Sequence, residues 1–357
     1  MQQHTLIECW RKDNLRKLLN TLYITNPDAY LALDGENIVV KCEQTELGRL
    51  PLHNLEAIIT MGYVGVSPAL MGKCAECNIG MTFLKPSGKF LAKVTGKAYG
   101  NILLRREQYR LADKKVERTA IAKNFIIGKI YNSRTVVERA IRDYSMRLDV
   151  DSLKNTSSKL KTAIEYSREA IDCDQLRGYE GEAATRYFSV FDDLILQQKD
   201  DFVFNGRTRR PPLDNVNALL SFSYSLLTSV CCSALETVGL DPYAGFMHTD
   251  RPGRASLALD LMEELRAIMA DRFVLTLINK KLVMPDGFQQ KENGAILMSD
   301  ETRKVVLKLW QERKKEMITH PFIDEKIEWG LIPYVQAMLL ARYIRGDLEE
   351  YPPFFWK

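Results

Sequence analysis

The spacing of apolar residues changes once along this chain, and that change constrains the fold more than any other feature. Up to about residue 98 the apolar residues come in short runs broken by turn residues. From about residue 99 to Ile344 they recur mostly at intervals of three and four. Short runs between turns read as strands, whereas a three-and-four spacing buries one stripe of a helix, so the two stretches require different architectures. The expected fold is α+β. A small N-terminal β-sandwich domain (18–98) follows a charged extension (1–17), and a larger all-α domain (99–357) completes the chain. A length of 357 residues accommodates two domains. About 250 helical residues is near the upper end for one core.

Within the first stretch, Thr21 to Thr25, Tyr30 to Leu33 and Ile38 to Lys41 read as strands. The tetrapeptide Asp34-Gly-Glu-Asn37 joins the last two as a hairpin. Leu55 to Thr60 is a further strand, and Ser67 to Asn78 is a helix opened by a Ser cap with Pro beside it. Ile79 to Leu84 and Phe90 to Val94 flank Pro86-Ser-Gly88, a second hairpin.

Composition enters mainly by exclusion. Hydrophobic residues at 46% and charged residues at 27% exclude a disordered chain. The opening residues lack a continuous apolar run, so no signal peptide is expected. Residues 217–235 carry no charge and approach the length of a membrane span. They are rich in Ser and are followed directly by Glu236, so a helix buried in a large domain is expected, and no membrane partner. Seven cysteines, an odd number, fit reduced thiols in a cytosol. Cys74-Ala-Glu-Cys77 has redox or metal-ligand spacing. With no second CxxC and no HxxxH to complete a zinc site, it reads as two ordinary thiols.

The net charge of +4 decides nothing about partners, but its distribution is uneven. Residues 97–134 hold ten basic and three acidic residues, a surplus of +7. That is either a solvated helix face or a phosphate-binding surface. Arg207-Thr-Arg-Arg210 forms a second basic cluster, in a loop.

Three segments carry candidate chemistry. In the helix around 176–191, Leu176, Ala183, Ala184, Tyr187 and Phe191 make an apolar face with Glu180 near its middle. A carboxylate there needs a partner, either an Arg or a cation. His248, after the Gly-rich loop 239–247, is either a structural histidine or a ligand. Residues 256–266 form a helix on which Asp260 and Glu263 lie three apart, on a face that periodicity assigns to solvent but that could equally offer oxygens to a cation.

Taken together, these segments resemble the CRISPR-associated spacer integrase, the metal-dependent endonuclease of the adaptation module. The motifs are a buried Glu on a helix, then Arg-Thr-Arg-Arg-Pro-Pro-Leu-Asp-Asn-Val-Asn (207–217), Gly-Phe-x-His-Thr (245–249) and Leu-Ala-Leu-Asp-Leu-Met-Glu-Glu-Leu-Arg (257–266). The Asn-Thr-Leu-Tyr segment (20–23) and the 257–266 helix point to the type I-C branch, and residues 1–17 lie outside the pattern. The resemblance implies an N-terminal β-domain that dimerises and a helical catalytic domain. It implies Glu180, His248 and Glu263 as ligands of Mn²⁺ or Mg²⁺, with Asp260 lining the same site. It further implies attack by the 3′-hydroxyl of a foreign double-stranded DNA fragment on a phosphodiester of the CRISPR repeat. The implied partners are a second copy of the chain, a small ferredoxin-like CRISPR-associated nuclease and a CRISPR-associated exonuclease that trims fragments. The implied location is the prokaryotic cytoplasm. Arg105, Arg106 and Arg110, with Arg207, Arg209 and Arg210, are the expected phosphate contacts, and Arg251 and Arg254 the alternative path. Two other readings stand beside it: a non-catalytic DNA-binding member of the same fold, and an unrelated helical metal-dependent phosphohydrolase.

Overall fold

The computed structural model describes residues 21–24, 26–43, 45–55, 57–77, 79–85, 90–94 and 102–356. The 1–17 extension, Cys9, Lys97 and the 86–88 turn lie outside the described residues. The chain divides into two compact units. One comprises residues 1–100, 307–317 and 328–331; the other comprises 101–306, 318–327 and 332–357.

The first unit is built on two four-stranded sheets. One has the order β1 (Thr21–Ile24), β5 (Ala57–Met61), β7 (Gly80–Leu84), β8 (Phe90–Val94). Its first two pairings are parallel and the third antiparallel. The other has the order β4 (Thr45–Pro51), β3 (Asn37–Cys42), β2 (Ala29–Asp34), β6 (Gly65–Val66). Asp34 pairs with Asn37 across a tight turn in which Gly35 takes φ +57°, a conformation that costs glycine little. Helix α1 (Pro68–Glu76) starts where the Ser67 side chain accepts the Leu70 N–H. Ile24, Leu31, Ile38, Ile58, Leu70, Cys74 and Met81 share one buried cluster, so both sheets and the helix close over a single apolar core. The β-sandwich is therefore present. It contains two strands, β4 and β6, beyond those the sequence pattern marks. Cys74 is buried within it, and burial pushes its thiol up to about 12; Cys77 is exposed.

The second unit is helical. Its elements are α2 (Ile102–Asp113), α3 (Lys115–Tyr144), α4 (Val150–Glu169), α5 (Cys173–Ser189), α6 (Asn215–Thr237), α7 (Ser256–Arg266), α8 (Arg272–Asn279) and α10 (Ile332–Ile344). A π-helical turn, Ala267–Asp271, joins α7 to α8. Helix α9 (Asp300–Lys314) runs from this unit into the first. The all-α expectation is modified by two short ribbons, β9–β10 (Phe288–Gln290, Ile296–Met298) and β11–β12 (Met317–Thr319, Lys326–Glu328). The uncharged stretch forms most of α6. It is long and apolar enough to cross a membrane, yet its residues from Val216 to Leu235 are largely buried within the unit. Cys231 faces inward there and its neighbour Cys232 is half-buried, as two successive helix positions must be. The last residues are also core: Tyr351, Phe354 and Trp356 are buried, and Asn132 of α3 bonds the Phe354 carbonyl and the Trp356 N–H.

Candidate active site

Helix α5 begins where the Asp172 carboxylate accepts the N–H groups of Asp174 and Gln175, meeting the unpaired donors of the first turn. The phase set by that cap buries Leu176, Ala183 and Tyr187. Glu180 comes to the edge of this face rather than its middle and is half-buried, while Glu182 is exposed. The carboxylate of Glu180 is met by the Lys129 ammonium from α3. The partner of Glu180 is thus a lysine, not an arginine.

The loop that carries His248 is pressed against α7. A Cβ on Gly245 would come within 2.7 Å of the Ser256 Cβ and 2.9 Å of the His248 carbonyl, so only glycine fits. Asp260, fully buried, gathers the loop. Its carboxylate accepts the N–H groups of Phe246 (2.6 Å), Met247 (3.0 Å) and His248 (2.9 Å). One of the same oxygens lies 2.6 Å from His248 Nδ1. An oxygen that already accepts from the backbone acts as acceptor to the ring as well, so Nδ1 donates to Asp260 and Nε2 is the ring nitrogen left for another partner. Asp260 stands behind His248 as the residue that orients it, and is not part of the cleft wall.

Helix α7 is buried nearly all round, so the Asp260–Glu263 face is not solvent. Each oxygen of Glu263 faces a cation: Oε1 lies 3.1 Å from Arg266, and Oε2 lies 2.7 Å from Lys129. Burial pushes the Glu263 carboxyl up, but Arg266 and Lys129 outweigh it and hold the group at about 2. Arg266 is fixed in turn, its guanidinium lying on the Tyr224 ring while the Tyr224 hydroxyl donates to Asp271.

Glu180, His248 and Glu263 line one cleft of about 530 Å³ together with Arg177, Arg209, Arg251 and Arg254. Burial and then the neighbouring Arg251 lower the pKa of Arg254, with Arg177 and Arg210 adding to the crowding. Like charges this close favour an anion among them. Of the other expected phosphate contacts, Arg210 stays close enough to Arg254 to act on its charge, whereas Arg207, Arg105, Arg106 and Arg110 lie elsewhere. Arg207 turns inward to Asn217 and Ser221 and lies on the Tyr224 ring, so this part of the basic loop is structural. Arg105 donates to the Gly239 carbonyl, Arg106 is exposed, and Arg110 pairs with Glu107. Much of the 97–134 surplus is engaged locally: Lys115 with Asp172, Lys123 with the Arg168 carbonyl, and Arg134 with Glu138.

The model of the family described as "CRISPR associated protein Cas1" matches residues 22–312. The chain belongs to the Cas1 family. It is 49% identical to CRISPR-associated endonuclease Cas1 1 of Chlorobaculum tepidum, over 96% of this chain and 100% of the relative. It is 48% identical to CRISPR-associated endonuclease Cas1 2 of Rhodospirillum rubrum, with the same coverage. A relative from Geobacter sulfurreducens, a fusion of exonuclease Cas4 with endonuclease Cas1, is 33% identical over 93% of this chain and 60% of its own. Among solved structures, a casposase bound to its integration product shares the fold with a TM-score of 0.81 at 21% identity, covering 95% of this chain and 94% of that one. A Cas6-RT-Cas1–Cas2 complex shares it at 0.80 and 24% identity, over 95% of this chain and 36% of that one.

The donor set of this Cas1 chain, two carboxylates and an imidazole with Nε2 free, is chemically suited to a divalent cation. Among the described residues, however, no three His, Cys, Asp or Glu side chains meet at one coordinating point. The point shared by Glu180 and Glu263 is taken by the Lys129 ammonium. Sequence reasoning passed over Lys129, which reads as one more basic residue of a charged segment, and Arg177, which its spacing of three from Glu180 places on the same helix face.

Proposed function

We propose that the chain is a metal-dependent DNA endonuclease and integrase that inserts foreign DNA fragments into a CRISPR repeat array in antiviral defence. The observation that carries this reading is the single cleft in which Glu180, His248 and Glu263 face four arginines. In it Glu180, Glu263 and His248 Nε2 would hold one Mn²⁺ or Mg²⁺, the imidazole favouring Mn²⁺. Such an ion, when bound, neutralises charge on a phosphodiester and polarises the attacking oxygen. The remaining work is positioning. Asp260 holds the His248 ring in one tautomer and one orientation. Arg177, Arg209, Arg251 and Arg254 take phosphate oxygens and offset the repulsion that the carboxylates exert on DNA. A fragment's 3′-hydroxyl held in line with a repeat phosphate forms the new P–O bond as the repeat's own 3′-oxygen leaves. Water in its place gives strand cleavage.

The same reading extends to assembly. Strand β4 lies at a sheet edge with Leu47 and Leu50 exposed, which favours homodimerisation through the β unit. Similarity to the Cas6-RT-Cas1–Cas2 complex and to the Cas4–Cas1 fusion supports a small ferredoxin-like CRISPR-associated nuclease and a trimming exonuclease as partners. We infer the prokaryotic cytoplasm as the place where they act. The test is an integration assay on a repeat-containing plasmid, with and without the small partner and with Mn²⁺, Mg²⁺ or chelator. Joined product should require the divalent ion and disappear in Glu180→Ala and His248→Ala while their melting curves keep a folded transition. Undiminished joining by either variant would remove these residues from the mechanism. Arg209→Ala and Arg251→Ala should each weaken duplex binding and flatten log K against log salt by about 1.

A further inference from the structure

We propose that Lys129 is the resident cation of the candidate active site: its ammonium holds the Glu180 and Glu263 carboxylates together in the metal-free protein, and a divalent ion must displace it. This rests on the metal-dependent reading above and names the residue that sets how tightly the ion is held.

Lys129 lies in the interior of α3 between buried Gly128 and Ile130, and is itself only 5% exposed. A buried lysine is costly unless it is paired, and its ammonium contacts both Glu180 and Glu263 Oε2, the latter at 2.7 Å. A divalent ion ligated by those same oxygens would stand about 2.0–2.6 Å from each, in the space the ammonium fills. Two cations that close repel strongly in a buried site, so occupancy is an exchange and not an addition.

The neighbouring cation cannot be the one that leaves. Arg266 is wedged between Glu263 and the Tyr224 ring, its guanidinium carbon 5.2 Å from the ring centre. Lys129 ends a flexible four-carbon stem, and the cleft opens on the two carboxylates it bridges. Lys129 is therefore a positioning residue. It keeps two carboxylates converged that would otherwise repel each other, and it opposes every ion that binds there.

The test is calorimetric titration of the full chain with MnCl₂, in the parent and in Lys129→Met, which keeps an unbranched stem of similar reach without the charge. Lys129→Met should bind Mn²⁺ at least tenfold more tightly and show the larger Mn²⁺-induced rise in melting temperature; equal or weaker binding overturns the exchange. The parent supplies a second measurement that needs no variant. Reductive methylation read by mass spectrometry should find Lys129 protected without Mn²⁺ and labelled several-fold faster at saturating Mn²⁺. Labelling that is unchanged or slower overturns the proposal even if Lys129→Met fails to fold. Mn²⁺ binding to the parent without any response at Lys129 sinks this inference alone. Absence of Mn²⁺ binding from both proteins sinks it together with the metal-dependent reading.

Discussion

The β unit and the helical unit bury different kinds of residue. The core cluster of the β unit, from Ile24 to Met81, is apolar, and ion pairs of this unit such as Arg49 with Asp34 and Lys73 with Glu36 involve exposed acids. Its buried Lys314, brought in by the 307–317 segment, lies 3.3 Å from the Thr21 hydroxyl. The helical unit buries Lys129, Asp260, Glu263, Glu264, Arg266, Asp271 and His320. Apolar packing stabilises a fold more cheaply than buried charge, which must recover its desolvation cost through close partners. A core that carries this much charge is arranged for something other than stability. The difference separates a unit built to hold its shape from one built to hold charged groups in place.

The comparison breaks most sharply at Glu263. Glu263→Ala leaves Lys129 and Arg266 buried beside a missing counter-charge. It is expected to cost about 3–5 kcal/mol in denaturant unfolding and to abolish strand joining. Arg49→Ala, on the exposed side of the β unit, should leave the unfolding curve where it was. Equal effects from the two changes would erase the distinction.

A cavity in the apolar core probes the other side. Leu31 is fully buried in β2, so Leu31→Ala should cost about 2–5 kcal/mol. It removes no charge, and Leu31 belongs to the β unit's own core cluster. Mn²⁺ affinity by calorimetry should therefore stay at the parent value, and a change there would mean that the β unit shapes the cleft. Asp260→Asn is the converse, a small change of volume with a large effect on function. The amide keeps an oxygen for the backbone donors but sets an N–H against others and loosens control of the His248 tautomer. Mn²⁺ affinity should fall about 10–100-fold, as for other residues that orient a metal-binding imidazole.

How much of this was legible in the sequence follows the same division. In the β unit, Asp34-Gly35 and Ser67-Pro68 announce a turn and a helix start through backbone chemistry that needs no distant partner, and both stand where the sequence puts them. Strand β4, Thr45–Pro51, was not legible because an edge strand with mostly exposed side chains shows no burial pattern. In the helical unit the place of Glu180 could be approached from its apolar neighbours. The burial of Asp260 and Glu263 could not, because helix periodicity registers a polar face and cannot tell solvent from a packed polar network. Arg207 misled for the same reason. A basic loop residue looks like a phosphate contact until Asn217, Ser221 and Tyr224 are seen to enclose it. Lys129 was hidden by its neighbours, since only folding sets it apart from the other basic residues of 97–134.

The smallest expected effect is one that two buried groups conceal from each other. Glu264 accepts from Gln336 Nε2 (3.2 Å) and from the Tyr351 hydroxyl, and Gln336 Oε1 lies 3.1 Å from His320 Nε2. Burial raises the Glu264 carboxyl from 4.5 to about 7, its hydrogen bonds opposing only in part. Burial lowers His320 from 6.5 to about 4. For Glu264 the folded state binds the proton that the unfolded state has lost, so its contribution to stability falls as pH rises from 4.5 to 7. For His320 the unfolded state binds the proton that the folded state refuses, so its contribution rises from pH 4 to 6.5. At about 1.4 kcal/mol per pKa unit, each amounts to at most roughly 3.5 kcal/mol, with opposite sign. Between about pH 4.5 and 6.5 the two cancel, and these groups should leave the parent's stability nearly flat across that window. Glu264→Gln should uncover the histidine and make stability climb with pH there, whereas His320→Asn should uncover the carboxyl and make it fall. Urea unfolding of the parent and both variants at half-unit pH steps measures this directly. Parallel pH profiles for all three would mean that neither group titrates as its burial requires.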